Sequence, residues 1–332
     1  MTRTTPPRPV DITKLFPELR EHSTTATRLH PRPGTPTVAD SSVGGPLLWP
    51  ADEPWPVCTD GDTHYIFRLT TPATVRRSRE IYAAAEARAD ATGARYDLTD
   101  EERAELPDYE FSEPDELVDQ PIPLLPVAQL YRRDVPDFSG PEGTDLMQVL
   151  WCPLDHPEEG YNPRVRLYWR RSTEVIRPLT TSPEPPVVND SYLPVSCVVH
   201  PEQVREYEYG DLLPEDLDAQ ITAWEETTEE EAGYSYQSDL SLAPGWKVGG
   251  FANWSLTDPH PMNCAECAAP MTLLFTVDSS ERNGADCSWR PVEEEPATTS
   301  LTPTGISIGR GYSLYIFRCP VSFDHPPATT MQ

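Results

Sequence analysis

The chain has 332 residues, enough for one large or two medium-sized domains. Its 54 acidic and 26 basic residues give a formal net charge of −28, which disfavours nucleic acid and anionic membranes as ligands and favours a basic protein or a cation. No apolar run approaches the ~20 residues of a membrane helix, and the N-terminus lacks the apolar region of a signal peptide. Seven cysteines, an odd number, fit reduced thiols. We therefore predict a cytoplasmic protein.

The first recognisable pattern is "SVGGPLLW", in which a glycine pair, Gly44-Gly45, precedes Trp49. Two glycines before an apolar stretch favour a tight turn or bulge leading into a strand. A proline-rich stretch then leads to Cys58. An apolar run over 123–131 and an aliphatic strand ending in Cys152-Pro follow, and Asp-His-Pro comes next.

A helical insertion is expected inside this first part, at about 70–120. The alanine-rich "EIYAAAEARADATG" stops at Gly93, which predicts a short helix with a glycine C-cap. The acidic sequence after it is typical of a solvated excursion. Farther on, apolar residues recur every three or four positions after Pro214, which predicts a second helix.

The same features then return in the same order. "KVGGFANW" repeats the glycine pair and the tryptophan at identical spacing, as Gly249, Gly250 and Trp254. Cys264, an apolar run over 270–278, and a strand ending in Cys319-Pro before Asp-His-Pro complete the series. We interpret this as an internal duplication. The short strand-like runs, with proline throughout, predict an α+β fold of mostly antiparallel strands.

The predicted organisation has four parts. They are an N-terminal segment (1–30), a first repeat (31–200), an acidic helical connector (201–233) and a second repeat (234–332). Between Glu202 and Glu231 the connector holds twelve acids and one base, Arg205.

The order "VGG…W…P…C", a Leu-rich strand, and then "VGG…W…HPMNCAECAAPMTLLFTVDS" resembles the YwqG-like family of bacterial proteins of unknown function. The resemblance runs from about Pro31 to the C-terminus and is most specific over Gly249 to Asp278. It implies a duplicated α+β fold. Some members are encoded beside secreted polymorphic toxins and are suspected immunity proteins, so the resemblance also implies an inhibitor role. Two departures are "TDGD" after Cys58, in place of a second cysteine, and Thr276, where the family tends to have glutamine.

Cys264 and Cys267 have the spacing of a zinc knuckle, and His260 lies four residues before them. A closed structural site needs four ligands, so two more are required besides these cysteines. His260 is one candidate. The others are Cys58, Cys152, Cys287 and Cys319, provided that the fold brings them close. Reduced thiols in a loop are the alternative. Cys152 and Cys319 are interpreted as buried core residues, and the two Asp-His pairs before proline, 155–156 and 324–325, as turns.

No catalytic constellation is evident from the sequence. "GISIG" (305–309) matches a nucleophile elbow, but no helix pattern follows the serine, and such an elbow needs one. We therefore expect a non-enzymatic protein that binds a basic partner, as an immunity protein would. The predicted contacts are the acids of the connector, Glu225, Glu226, Glu229, Glu230 and Glu231. A zinc-binding protein or metal-dependent enzyme using Cys264 and Cys267 is one alternative. A small-ligand binder with Trp49 and Trp254 in a cleft between the repeats is another.

Overall fold

The computed structural model describes residues 3–59, 64–65, 68–93, 96–107, 120–282, 287–294 and 300–332, with the backbone alone for residues 229–232 and 287. Helices and antiparallel strands are both present, which confirms the predicted α+β class. The helices are α1 (Ile12–Leu15), α2 (Pro72–Thr92), α3 (Asp100–Glu105) and α4 (Glu215–Ala232). The strands are β1 (Ser23–Arg28), β2 (Arg32–Pro33), β3 (Ser42–Val43), β4 (Val57–Cys58), β5 (Leu69–Thr70), β6 (Ile122–Pro123), β7 (Leu125–Tyr131), β8 (Leu146–His156), β9 (Asn162–Arg170), β10 (Val188–Asn189), β11 (Cys197–Val198), β12 (Glu202–Tyr207), β13 (Lys247–Gly249), β14 (Thr272–Asp278), β15 (Ser313–Arg318) and β16 (Ala328–Met331).

Two six-stranded sheets organise the chain. The first sheet has the order β2-β11-β3-β7-β8-β9, and the second has the order β12-β1-β13-β14-β15-β16. Each contains a four-strand antiparallel series that begins beside a glycine pair. All four of these glycines have positive φ, from 71° to 78°. The two tryptophans that follow are buried, Trp49 at 1% exposure and Trp254 at 7%, as an indole ring favours. These parallels support the duplication, which stays a prediction.

The sheets exchange one strand each, and each exchanged strand lies second from the edge of the sheet that it joins. β1 comes before the first glycine pair in sequence, yet it pairs with β12 and β13 of the second sheet. β11 comes before the second glycine pair, yet it pairs with β2 and β3 of the first sheet. The crossing segments are tied together, since His200 N–H donates to the Leu29 carbonyl at 2.7 Å. The predicted N-terminal segment thus contributes a strand to the sheet of the second repeat.

The predicted insertion contains two helices. α2 begins after Thr71, whose hydroxyl accepts from Thr74 N–H, and it ends at Gly93 with φ 64°, which confirms the predicted glycine C-cap. The acidic stretch interpreted as a solvated excursion contains α3, which begins with a capping box between Thr99 and Glu102. Residues 108–119 of that stretch lie outside the described residues.

The predicted connector forms a strand and a helix. β12 joins the second sheet, and α4 is the helix expected after Pro214. Leu217 and Ile221 of α4 are buried with Leu213, Ile12 and Leu19 in a separate apolar cluster, so the described side chains of α4 pack along one side. Among the described residues, no helix combines the length and the apolar character needed to cross a membrane.

One apolar core lies between the two sheets. It combines Val127 and Val149 of the first sheet with Phe275 and Ile316 of the second, and all four are fully buried. Because burial of apolar surface is the main stabilising term, this shared core makes the folding of either sheet depend on the other. The two sites described next lie outside this core, on strands β4 and β8 and on loops at the ends of the sheets.

Candidate metal centres

Two clusters of cysteine and histidine lie at the ends of the sheets. The first cluster comprises Cys58, His64, Cys152 and His156. The second cluster comprises Cys264, Cys267, Cys319 and His325. Within each cluster, one potential ligand atom per residue lies within 4.8 Å of every other.

Strand geometry assembles the first cluster. Cys58 is held by the pairing of β4 with β6, and His64 by its neighbour Tyr65, whose N–H donates to the Asp155 carbonyl at 2.9 Å. Cys152 and His156 both belong to β8, where four residues of regular strand would span about 13 Å. The pairing of β8 with β9 shifts register between Trp151 and Asp155, and this irregularity brings the two ligand atoms together.

Both imidazoles of the first cluster direct Nε2 at sulfur. His64 Nε2 lies 3.4 Å from each of Cys58 Sγ and Cys152 Sγ, and His156 Nε2 lies 3.7 Å from Cys58 Sγ. Cys152 and His156 have no exposed surface. Burial, together with the neighbouring Cys58 thiol, raises the pKa of Cys152 well above its ordinary value. Without a cation this thiol is therefore protonated, and binding of a metal would have to displace the proton.

Two loops assemble the second cluster. Cys264 and Cys267 lie in a narrow hairpin, closed by Cys264 N–H to the Ala269 carbonyl (2.9 Å) and Ala268 N–H to the Cys264 carbonyl (2.8 Å). Cys319 follows β15 directly, and His325 lies in the loop that leads to β16. Cys264 Sγ lies 3.3 Å from His325 Nδ1, and Cys267 Sγ lies 3.5 Å from Cys319 Sγ.

The second cluster favours a thiolate. Burial raises the pKa of Cys319, but the N–H groups of Ser322 and Val321 and the His325 imidazole lower it by more, so that it falls to about 6. The hydrogen bond that the Cys319 thiolate accepts from the His325 imidazole in turn raises the pKa of His325. A thiolate is the form of cysteine that binds metal. Cys267 is the one exposed cysteine of the two clusters; Cys58, Cys152, Cys264 and Cys319 are buried.

Five of the twelve ligand-atom separations fit a tetrahedral ion, and all twelve are within 4.8 Å. With Zn–S near 2.3 Å and Zn–N near 2.0–2.1 Å, tetrahedral ligands lie about 3.4–3.8 Å apart. The five sulfur–nitrogen and sulfur–sulfur distances above run from 3.3 to 3.7 Å. The donor sets are two sulfurs with two nitrogens, and three sulfurs with one nitrogen. Such sets are typical of structural zinc, whereas magnesium and calcium prefer oxygen.

The structure brings together only part of the predicted zinc site. Cys264 and Cys267 are in the second cluster, but His260 is not. Its exposed ring packs edge-on against Trp254 at 4.7 Å, and its Nδ1 lies 3.4 Å from the Asp258 carbonyl. The second cluster is completed by Cys319, one of the further candidate ligands, and by His325, which the sequence analysis interpreted as a turn residue. The candidates Cys58 and Cys152 belong to the first cluster instead. The side chain of the further candidate, Cys287, lies outside the described residues.

Of the predicted partner contacts, Glu226 is exposed on α4. Glu225 has a structural contact, since its carboxylate accepts a short hydrogen bond from Tyr236 N–H. The side chains of Glu229, Glu230 and Glu231 lie outside the described residues.

The cleft expected between the repeats corresponds to a cavity of about 550 Å³. Trp254 lines it together with Asp137 from the first half and Phe317 from the second. Trp49 does not line it. Its ring is buried beneath the Arg170 guanidinium, 4.1 Å from the ring centre, and the tryptophans therefore do not face a common space.

No model of a known protein family matches the chain, and a search of curated proteins finds no match either. The resemblance to the YwqG-like family therefore stays a prediction, and function has to be argued from the chain's own geometry.

Proposed function

We propose that this is a zinc-binding protein with two structural Zn²⁺ sites, one at the end of each sheet. The observation that carries the proposal is the convergence of four soft or borderline ligands at each place. The residues of a cluster are up to 98 positions apart in sequence, yet their ligand atoms converge. Ordinary core packing does not require cysteine and histidine to meet in this way, whereas a tetrahedral metal site does.

The sites are proposed as structural because each has four protein ligands. A catalytic zinc keeps an open position for water or substrate, and a four-ligand shell closes it. The first site would fasten the loop after β4 to strand β8. The second would fasten the Cys264–Cys267 hairpin to the loop between β15 and β16. Metal binding would then contribute directly to folding.

The test is elemental analysis of protein purified without chelator, with zinc, iron, copper and nickel measured together. About two zinc ions per chain are expected. Cys152→Ser and Cys319→Ser should each lower this to about one. Cys197→Ser is the matched control, because Cys197 is a buried cysteine outside both clusters, with its thiol 3.4 Å from the Pro303 carbonyl. His260→Ala should also retain both ions.

Cobalt substitution distinguishes the loss of one metal site from a general failure of a variant to fold. Tetrahedral Co²⁺ with thiolate ligands absorbs visible light, and the three-sulfur site should absorb differently from the two-sulfur site. Each cysteine variant should lose one of two spectral components. The proposal is refuted if metal-free protein is as thermally stable as metal-loaded protein. It is also refuted if the Cys197→Ser control loses as much metal as the cluster variants.

A second candidate function is binding of a basic protein, as an immunity protein would do. It is supported by the net charge of −28 and by α4, which packs one side on the core and leaves Glu215, Asp216 and Glu226 exposed. An ordered acidic face can steer a cationic partner by long-range attraction.

Capture from native lysate at low and high salt tests this second function. The variant Glu215→Gln, Asp216→Asn, Glu226→Gln should lose a salt-sensitive basic partner. The control neutralises the same number of exposed acids on two other helices, at Glu86 and Asp90 of α2 and Glu101 of α3. If both variants capture as much as the wild type, the acidic face is not the contact.

A further inference from the structure

A polar cavity of about 370 Å³ opens on the second sheet. Its floor includes Thr276 of β14 and Tyr315 of β15, which are paired across the two strands. Asn253 and Ser313 are partly exposed on its wall. The volume lies within the range of about 300–1,000 Å³ that is usual for small-molecule sites.

The corresponding positions of the first sheet are filled. Counting from each glycine pair, Thr276 corresponds to Gln129, because these residues pair with Lys247 and Ser42, each two residues before its Gly-Gly. Gln129 is fully buried, and its Oε1 accepts from Leu48 N–H at 2.6 Å and from Gln148 Nε2 at 2.9 Å.

The amide network of the first sheet continues outward. Gln129 Nε2 donates to the carbonyls of Val38 and Asp40, and Gln148 Oε1 accepts from Arg170 Nε at 2.8 Å. In the first sheet these long side chains satisfy one another and occupy the space. In the second sheet, the shorter Thr276 leaves the space open.

Two polar groups at the second-sheet cavity have no partner. Thr276 is 1% exposed and its Oγ1 makes no hydrogen bond among the described residues, and the same is true of the buried Gln237 Nε2. Buried polar groups are almost always hydrogen-bonded, because leaving one unpaired costs free energy. Both residues line the cavity, so a molecule inside it could satisfy them.

The charged groups at the cavity are already paired. Lys247 Nζ donates to Glu206 Oε1 at 2.6 Å and to the Phe251 carbonyl at 3.0 Å. The Asp278 carboxylate accepts from Gly245 N–H at 3.0 Å and from Ser280 N–H at 3.2 Å. An anionic ligand would therefore find no unpaired cation at these residues, and the Asp278 oxygens already accept hydrogen bonds from N–H groups.

The cavity wall instead offers hydroxyl and amide groups beside aromatic rings. Hydroxyls both donate and accept, and amides do so through separate atoms, which suits a ligand that is itself rich in hydroxyls. Tyr209, Tyr312 and Tyr315 add apolar ring faces against which the C–H side of a sugar ring can pack.

We propose that this cavity binds a small neutral hydroxyl-rich molecule of the monosaccharide class, held by Thr276, Gln237 and Asn253. This site is separate from both cysteine–histidine clusters, and it does not depend on the presence of zinc.

Saturation-transfer NMR with D-glucose, D-ribose and myo-inositol, each at millimolar concentration, tests the proposal on the full chain. Saturation should pass from the protein to at least one of them. Thr276→Gln, which introduces the residue found at the corresponding position of the first sheet, should abolish the transfer by filling the space. Thr272→Gln is the control, because Thr272 is an exposed residue of the same strand that does not line this cavity. It should leave the transfer unchanged.

Asn253→Ala provides a second variant in case Thr276→Gln folds poorly, and it should weaken the transfer several-fold. Zinc content is measured on every sample, so that a failure of the metal proposal is recognised separately. If no saturation passes from the wild type to any of the three molecules, only water fills the cavity and the proposal is overturned. It is equally overturned if the transfer survives both cavity variants.

Discussion

Lys247 Nζ lies 2.6 Å from Glu206 Oε1, and the two side chains are 2% and 0% exposed. Removing one partner of such a pair leaves an uncompensated buried charge, which typically costs about 3–5 kcal/mol. We expect Lys247→Met to lower the free energy of unfolding by about that amount in urea. The double variant Lys247→Met, Glu206→Gln should recover part of the loss. A loss below about 1 kcal/mol is typical of an exposed pair, and such a small loss in the single variant would contradict the prediction.

Gly250 should tolerate no side chain. It has φ +77°, and a Cβ there would overlap the Glu206 carboxylate and lie 2.9 Å from Ala26 Cβ. Gly93 has a similar φ of +64° with nothing within 4 Å, so it isolates the backbone cost. We expect Gly93→Ala to lose about 1–2 kcal/mol of unfolding free energy and Gly250→Ala distinctly more, about 3 kcal/mol or above. Equal losses by urea denaturation would show that the crowding around Glu206 is relieved without cost.

Asp278 should make the protein less stable as the pH rises. Burial raises the pKa of its carboxyl to about 6, and the charge of Glu281 adds to the rise. The pKa of Asp278 is higher in the folded state than in the unfolded chain. The contribution of this carboxyl to stability is therefore fully present below its unfolded-state pKa, and it is lost as the pH rises through its folded-state pKa of about 6. Between about pH 5 and about pH 7.5, the wild type should lose roughly 1.4 kcal/mol relative to Asp278→Asn.

A matched control for this effect is Asp145→Asn. Burial raises the pKa of Asp145, but hydrogen bonds from Ser172 lower it by more, and the net pKa is lowered. A lowered carboxyl pKa contributes stability that is fully present above the unfolded value, so no loss is expected across the same window. Urea unfolding at both pH values measures the two variants against the wild type. A parallel pH response of Asp278→Asn and the wild type would contradict the predicted titration.

Zinc should leave the two clusters at different rates. A chelator has to reach and displace a ligand, and Cys267 is exposed whereas the cysteines of the first cluster are buried. We expect two kinetic phases of zinc release to a coloured chelator, with the second cluster emptying first. Cys152→Ser should retain only the fast phase and Cys319→Ser only the slow one. A single phase in the wild type would count against unequal access.

The sequence predicted local features well. Gly93 as a helix end follows from a rule that needs only the neighbouring residues. The α+β class likewise follows from short strand-like runs between two helical patterns. Such features do not depend on which strand pairs with which.

For the second candidate cluster, the sequence predicts Cys264 and Cys267 as a ligand pair, offers Cys319 as one of four further candidates, and does not identify His325. Cys264 and Cys267 are three residues apart, whereas Cys319 is 52 residues from Cys267 and reaches it through the pairing of β14 with β15. A usable signal was present, because Cys-Pro followed by Asp-His-Pro closes both halves and includes His156 and His325. Considered one at a time, these residues are typical of cores and turns. The convergence of four of them depends on the fold.

The strand exchange has a consequence for synthesis on the ribosome. β1 emerges early, but its neighbours β12 and β13 begin at residues 202 and 247, so its backbone groups stay unpaired while most of the chain is made. The first sheet must likewise wait for β11, which begins at residue 197. Contacts between residues so distant in sequence form late, because the entropy of closing a long loop has to be overcome first. The nascent chain therefore exposes open strand edges until near its completion, and a chaperone that covers such edges should bind it strongly during that interval.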